Sequence, residues 1–127
     1  MIQAKTTVRI LLVAYGALLL FHALVISGVI PYQNVWGGRL TSGPRILRFE
    51  LFSVAVLSLF VLITLGRAGW LDFCRLRFLN RIGIWLVVFV FALNTLGNLL
   101  PVTALERWLF TPVTALLALL SFRLALD

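Results

Sequence analysis

Five polar side chains that could do chemistry lie in or beside otherwise apolar stretches of this chain: His22, Glu50, Ser53, Asn94 and Asn98. A carboxylate in such a setting can bind a cation, a proton or an amine. The two asparagines are four residues apart, so they share one face if the segment is helical. The five residues are therefore candidates for a ligand-binding site.

The patterns of common enzymes and metal sites do not match this sequence. With one His and one Cys, it offers neither a Ser–His–Asp arrangement nor a cysteine cluster for zinc. Its four acidic residues are scattered, and no glycine-rich phosphate loop is followed by Lys. The sequence therefore predicts no catalytic residue, no metal site and no cofactor, and it favours a protein that is not an enzyme.

The composition points to a membrane. Hydrophobic residues make up 62% of the chain and charged residues 12%, whereas a soluble domain has about 45–50% and about 25%. The net charge is +7, but the basic residues sit mostly at the ends of hydrophobic runs. This placement suits lipid headgroups and topology control, and it argues against a nucleic-acid partner.

The chain contains hydrophobic runs long enough to cross a bilayer, which takes about 20 apolar residues. They do not alternate polar with apolar residues as barrel strands do, so helices are favoured. We predict an all-α transmembrane four-helix bundle forming a single membrane domain over residues 1–127. The helices are expected at about 10–30, 46–65, 82–100 and 103–126.

The distribution of Lys and Arg predicts the orientation. With four spans, seven basic residues lie on the side of the termini and the middle loop: Lys5, Arg9, Arg67, Arg75, Arg77, Arg81 and Arg123. Four lie on the other side: Arg39, Arg45, Arg48 and Arg107. The positive-inside rule then places both termini in the cytoplasm. We expect a multi-pass protein of the bacterial cytoplasmic (inner) membrane.

On this topology, the polar residues fall at matching depths. At about 1.5 Å per residue, Glu50 lies level with Asn98, and Ser53 lies about one turn deeper, near Asn94. His22 lies a little outward of the middle of the first helix. The sequence therefore predicts a polar pocket in the outer half of the bundle, and it places Arg39 and Trp36 at the outer mouth.

A structural interpretation stays open beside the functional one. Glu50 could be paired with a loop arginine, one of Arg39, Arg45 or Arg48, because guanidinium makes two-point contacts with carboxylates. Arg39 could instead bind an anionic headgroup beside adjacent glycines. The two asparagines could be hydrogen-bond links between helices, and the histidine could be bonded to a neighbouring helix.

Two signals concern the fourth helix. Thr103 and Glu106 match a capping box, in which each side chain bonds the other residue's backbone N–H. Pro112 lies inside the same run. It should kink the helix, or mark where a short surface helix ends and a span begins.

The chain resembles a group of small bacterial four-span membrane proteins to which no activity is attached. The resemblance rests on Val35-Trp-Gly-Gly-Arg-Leu, Glu50, Ala92-Leu-Asn-Thr-Leu-Gly-Asn98 and the final apolar helix. It implies the four-span architecture and transfers no catalytic role. The first helix lacks the carboxylate that small multidrug exporters carry there, and the chain lacks the Cys-x-x-Cys of vitamin K-type quinone reductases.

Three functional hypotheses follow from the sequence. The first is a membrane protein that binds or transports a small molecule, lipid or ion through its polar pocket. The second is a non-catalytic accessory or assembly subunit, with a membrane protein or a second copy of itself as partner. The third, less favoured, is a lipid-modifying enzyme, which would need a second ionisable group within reach of Glu50 or His22.

Overall fold

Four long helices form the molecule. The computed structural model describes residues 3–36, 43–72, 74–100 and 103–127. In order, the helices are α1 (Ala4–Ile26), α2 (Gly43–Arg67), α3 (Arg77–Leu99) and α4 (Thr111–Leu126). Short 3₁₀ turns occupy Tyr32–Asn34 and Cys74–Leu76, and a π-helical turn, Glu106–Phe110, leads into α4.

The expected fold class is confirmed. Four helices are long and apolar enough to cross a membrane, the last running over Glu106–Leu126, and the described residues contain no strand. α1 packs on α2 and α4, and α3 packs on the same two helices. The chain is therefore a multi-pass membrane protein with a closed ring of four neighbouring helices.

Several helix boundaries differ from the expected ones. α1 begins at Ala4 rather than at about residue 10, and it ends at Ile26 rather than at about residue 30. The end is set by Gly28, which has a φ of 84° and donates its N–H to the Val25 carbonyl oxygen. α2 and α3 also begin earlier, at Gly43 and Arg77 rather than at about 46 and 82. These helices begin early because an apolar run indicates only the segment that can cross the membrane, whereas helical hydrogen bonds continue into the polar residues beside it.

Three aromatic rings from three helices form the centre of the core. The Tyr15 ring stacks on Phe91 with centroids 6.0 Å apart, and the Phe60 ring meets Phe91 at 5.5 Å. These three residues, which we call the aromatic layer, are almost completely buried. On the side of the termini, the Tyr15 hydroxyl lies 3.3 Å from the Thr64 Oγ1, and the fully buried Ser121 also belongs to this half.

Close contact between α2 and α3 depends on glycine. A Cβ added at Gly66 would overlap the side-chain amide of the buried Asn80. A Cβ at Gly83 would lie 3.1 Å from the Ile63 side chain. Glycine at these positions lets the two backbones approach, as is common in membrane helix pairs.

The start of the fourth span confirms the capping box. The Thr103 N–H donates to Glu106 Oε2 at 3.2 Å, and the Glu106 N–H donates to Thr103 Oγ1 at 3.4 Å. Pro112 follows the π-helical turn, in which the Thr111 N–H donates to the Glu106 carbonyl oxygen. Proline has no N–H and its ring crowds the preceding turn, which a wider turn relieves. The span is therefore one helix with a local irregularity before Pro112.

Candidate functional site

The candidate site is a cavity of about 310 Å³ between the helices. It lies at the end of the bundle that holds the α1–α2 and α3–α4 connections. We call it the polar pocket. Six of the seven residues proposed from the sequence line it: His22, Trp36, Glu50, Ser53, Asn94 and Asn98. The seventh, Arg39, lies outside the described residues.

Glu50 is the most buried polar group of the pocket. Its exposed fraction is 0%, although it sits in a span that faces lipid elsewhere. Burying a carboxylate is costly unless its oxygens are hydrogen-bonded. Both oxygens have partners here: Trp36 Nε1–H donates to Oε1 at 2.6 Å, and His22 Nδ1 lies 2.5 Å from Oε2. Three parts of the chain thus meet at one carboxyl group.

The two partners play different chemical parts. An indole N–H can only donate, so Oε1 is an acceptor whatever the protonation state. An imidazole nitrogen can donate or accept, so Nδ1 of His22 can bond Oε2 of Glu50 in either role. The site therefore contains an acid–base pair on two helices, with the indole N–H fixed to the opposite oxygen.

The α1–α2 connection brings Trp36 to this carboxylate. Val35 is buried with Val25 and Ile46 in a small cluster that fastens the connection to the bundle. The next residue, Trp36, has a φ of 53°, a left-handed conformation that costs a residue with a side chain roughly 1–2 kcal/mol. Its ring packs edge-on against Phe49 with centroids 5.1 Å apart. The indole thus reaches Glu50 from a strained backbone.

The expectation of an arginine partner for Glu50 is wrong for the arginines that the structure describes. Arg48 directs its Nε–H to the Pro44 carbonyl oxygen at 3.4 Å, and Arg45 is exposed. Both arginines are exposed, whereas Glu50 is buried. The expected bond from His22 to a neighbouring helix is present, and its partner is Glu50 itself.

The two asparagines do not act as links between helices within the described part of the chain. No hydrogen bond joins the side chain of Asn94 or Asn98 to another helix there, although both line the pocket. The polar link between α3 and α4 comes from Thr95, whose hydroxyl donates to Thr114 Oγ1 at 3.0 Å. Asn98 is half-buried and Asn94 is exposed, and both border the pocket with amide groups that can still form hydrogen bonds.

The sequence analysis did not identify most of the residues that line the polar pocket. They are aliphatic and aromatic side chains: Leu18, Phe21, Val35, Phe52, Val56, Leu57, Phe60, Val90, Phe91 and Phe110. It also missed the contribution of Glu106 and Thr114, which line the pocket from the fourth span. The spacing of Glu106, Phe110 and Thr114, every fourth residue, was an available signal for one shared helix face.

The arrangement suits a small organic ligand better than a metal. Within the described residues, no three His, Cys, Asp or Glu side chains come together as metal ligands would. A cavity of about 310 Å³ falls at the lower end of the range of small-molecule sites, about 300–1,000 Å³. Apolar walls with a few converging polar groups are typical of such sites.

Comparison of the chain with protein families, with characterised proteins and with solved structures finds no match. The class of the protein therefore rests on its own fold: a multi-pass membrane bundle of four helices with a polar pocket near one end.

Proposed function

We propose that this chain is a small integral membrane protein of the bacterial cytoplasmic membrane that binds or transports a small molecule, lipid or ion in the polar pocket. One observation carries the proposal. Polar side chains from α1, α2 and α3, together with Trp36 of the connection, converge on one cavity of ligand size. Each of them is costly in lipid, so their convergence is a reason to expect a function.

The state of the asparagines supports binding over simple fastening. If the polar set served only to hold helices together, Asn94 and Asn98 should bond across helices. In the described residues, they line the cavity without such bonds. Ser53 adds a hydroxyl to the same wall. A ligand with donors or acceptors would complete the hydrogen bonding of these groups.

The orientation is part of the proposal. Of the described basic residues, seven lie at the end with the termini and three, Arg45, Arg48 and Arg107, lie at the other end, and the positive-inside rule assigns the richer end to the cytoplasm. Both termini are then cytoplasmic. The polar pocket lies near the opposite, outward face.

Ligand-dependent stability and flux test the proposal. We expect compounds that raise the melting temperature of the purified protein to lose this effect in Glu50→Gln and Asn98→Ala, and flux into proteoliposomes to fall with it. Asp72→Asn and Ser58→Ala are matched controls, because both residues are exposed and lie outside the pocket. Unchanged stabilisation and flux in the two pocket variants would refute it.

The accessory-subunit hypothesis has one observation in its favour. His22 and Trp36 occupy both oxygens of Glu50, as in a purely structural fastening. It predicts that Glu50→Gln lowers stability or complex yield and leaves every ligand response unchanged.

The hypothesis of a lipid-modifying enzyme requires a second ionisable group near Glu50, and His22 meets that condition. Lipid analysis of the same proteoliposomes tests it, since turnover would produce modified lipid.

A further inference from the structure

The chemistry of the polar pocket points to one class of ligand, an inference that rests on the proposed function. We infer that the pocket takes a small lipophilic primary amine in its ammonium form. An N–H of the ammonium replaces the Trp36 indole N–H at Oε1 of Glu50. The indole then lies beside the bound cation.

Charge selects a cation. The described lining includes the carboxylates of Glu50 and Glu106 and contains no Lys or Arg. The buried carboxyl group of Glu50 offers two oxygens that can accept hydrogen bonds from a cation. A carboxylate repels an anionic ligand at short range, so an anion is disfavoured beside Glu50. An ammonium is attracted and finds acceptors.

The walls match an organic body rather than a bare metal ion. Phe21, Phe52, Phe110 and Trp36 surround the cavity with aromatic rings. A cation over an aromatic face gains about 0.5–2 kcal/mol, and the remaining walls are aliphatic. The cavity of about 310 Å³ equals roughly ten water molecules at about 30 Å³ each. A ring with a short aminoalkyl chain fits this description.

Burial of Glu50 explains why a partner must move. The carboxylate has no exposed surface, so a ligand reaches it only by displacing Trp36 or His22. His22 is held within α1, whereas Trp36 lies in a connection and has a strained backbone. Displacement of the indole frees Oε1. One N–H donor replaces another, so the buried oxygen stays satisfied throughout.

Three probes that share a phenyl-alkyl body and differ in charge test the inference: 2-phenylethylamine, 2-phenylethanol and 3-phenylpropanoate. The chain has four tryptophans, so Trp70→Phe, Trp85→Phe and Trp108→Phe leave Trp36 as the sole emitter. We expect the amine to shift the Trp36 emission and to bind at least tenfold more tightly than the alcohol. The carboxylate should produce no response.

Two variants identify the acceptor. We expect Glu50→Gln to weaken amine binding at least tenfold, and Asp72→Asn, the same chemical change at an exposed site, to leave it unaltered. Calorimetry measures amine binding independently of fluorescence, on the variant in which Trp36 is the sole tryptophan. Amine binding without any change in Trp36 emission would overturn the exchange at Oε1.

The remaining outcomes separate this inference from the function on which it rests. Equal binding of the three probes, or no binding of the amine, overturns the ligand class. If another compound then stabilises the wild type and fails with Glu50→Gln, the proposed function stands without this inference. If no compound in a broad library stabilises the wild type, both fall.

Discussion

The Nδ1 atom of His22 on α1 lies 2.5 Å from Oε2 of Glu50 on α2, joining two helices that are separated by the whole α1–α2 connection. The contact is shielded, since the carboxylate has no exposed surface. A hydrogen bond to a charged group in such a place contributes more to stability than one at the surface. The pair therefore contributes to how the bundle holds together.

We expect His22→Ala to lower the free energy of unfolding by about 1.5–3 kcal/mol, the range for hydrogen bonds to charged groups. The loss arises because Oε2 of Glu50 stays buried without its partner. His22→Asn should recover much of it, because an amide N–H can occupy the position of Nδ1. Denaturant titration of the protein in micelles measures both variants.

A double-mutant cycle isolates the contact itself. His22→Ala and Glu50→Ala should be non-additive, with a coupling of about 0.5–3 kcal/mol, as for residues in direct contact. Additive effects within experimental error would mean that the two side chains stabilise the bundle independently, contrary to the geometry.

Trp36→Phe should destabilise the protein by about 1–2 kcal/mol, because it removes the donor to Oε1 and leaves that oxygen buried. The Phe ring can keep the edge-on packing against Phe49, so the loss reports the hydrogen bond. Thermal unfolding measures the effect. Trp70→Phe serves as the control at an exposed position, and an equal loss there would contradict the assignment.

Gly66→Ala should lower stability by about 1–3 kcal/mol, the usual cost of overpacking, since the new methyl group overlaps the Asn80 amide. Asn80→Ala in the same chain should restore part of the loss by making room. Gly97→Ala is the matched control, because nothing lies within 4 Å of a Cβ there. Alanine favours helix over glycine by about 0.5–1 kcal/mol, so the control should be neutral or stabilising in the same unfolding assay.

The proposed orientation predicts opposite labelling of the two ends of the bundle. In a Cys74→Ser background, Gln33→Cys in the first connection should react with a membrane-impermeant maleimide on intact bacteria, and Asp72→Cys should react only after lysis. Both residues are exposed. Reaction of Asp72→Cys on intact cells, with Gln33→Cys protected, would reverse the orientation.

Much of the site could be predicted from the sequence, because the position of a residue along a membrane-spanning helix gives its depth in the bilayer. Apolar runs locate the helices, and a rise of about 1.5 Å per residue ranks polar residues by level. This was enough to group Glu50, Ser53, Asn94 and Asn98, which all line the cavity. Depth alone does not give the rotation of each helix about its axis: Glu50 is buried, whereas Asn94 on α3 is exposed.

The partner of Glu50 did not follow, because it depends on the path of a connection. Residue types favoured arginine, the strongest partner of a carboxylate. Arg39 lies outside the described residues, and within them the structure brings Trp36 to Glu50 through a positive φ, which the sequence does not indicate at a residue other than glycine. The apolar residues that line the polar pocket could not be predicted, because nothing in the sequence distinguishes an apolar residue beside a cavity from one in a packed core.

The aromatic layer has a consequence for passage across the membrane. Phe60 and Phe91 line the bottom of the cavity, and the Tyr15 ring packs against both. Beyond them lie the hydroxyls of Tyr15 and Thr64, buried on the side of the termini. In this conformation the three packed rings separate the cavity from the half of the bundle that holds the termini. If the pocket takes a solute, as we propose, passage of that solute across the bundle requires these rings to move.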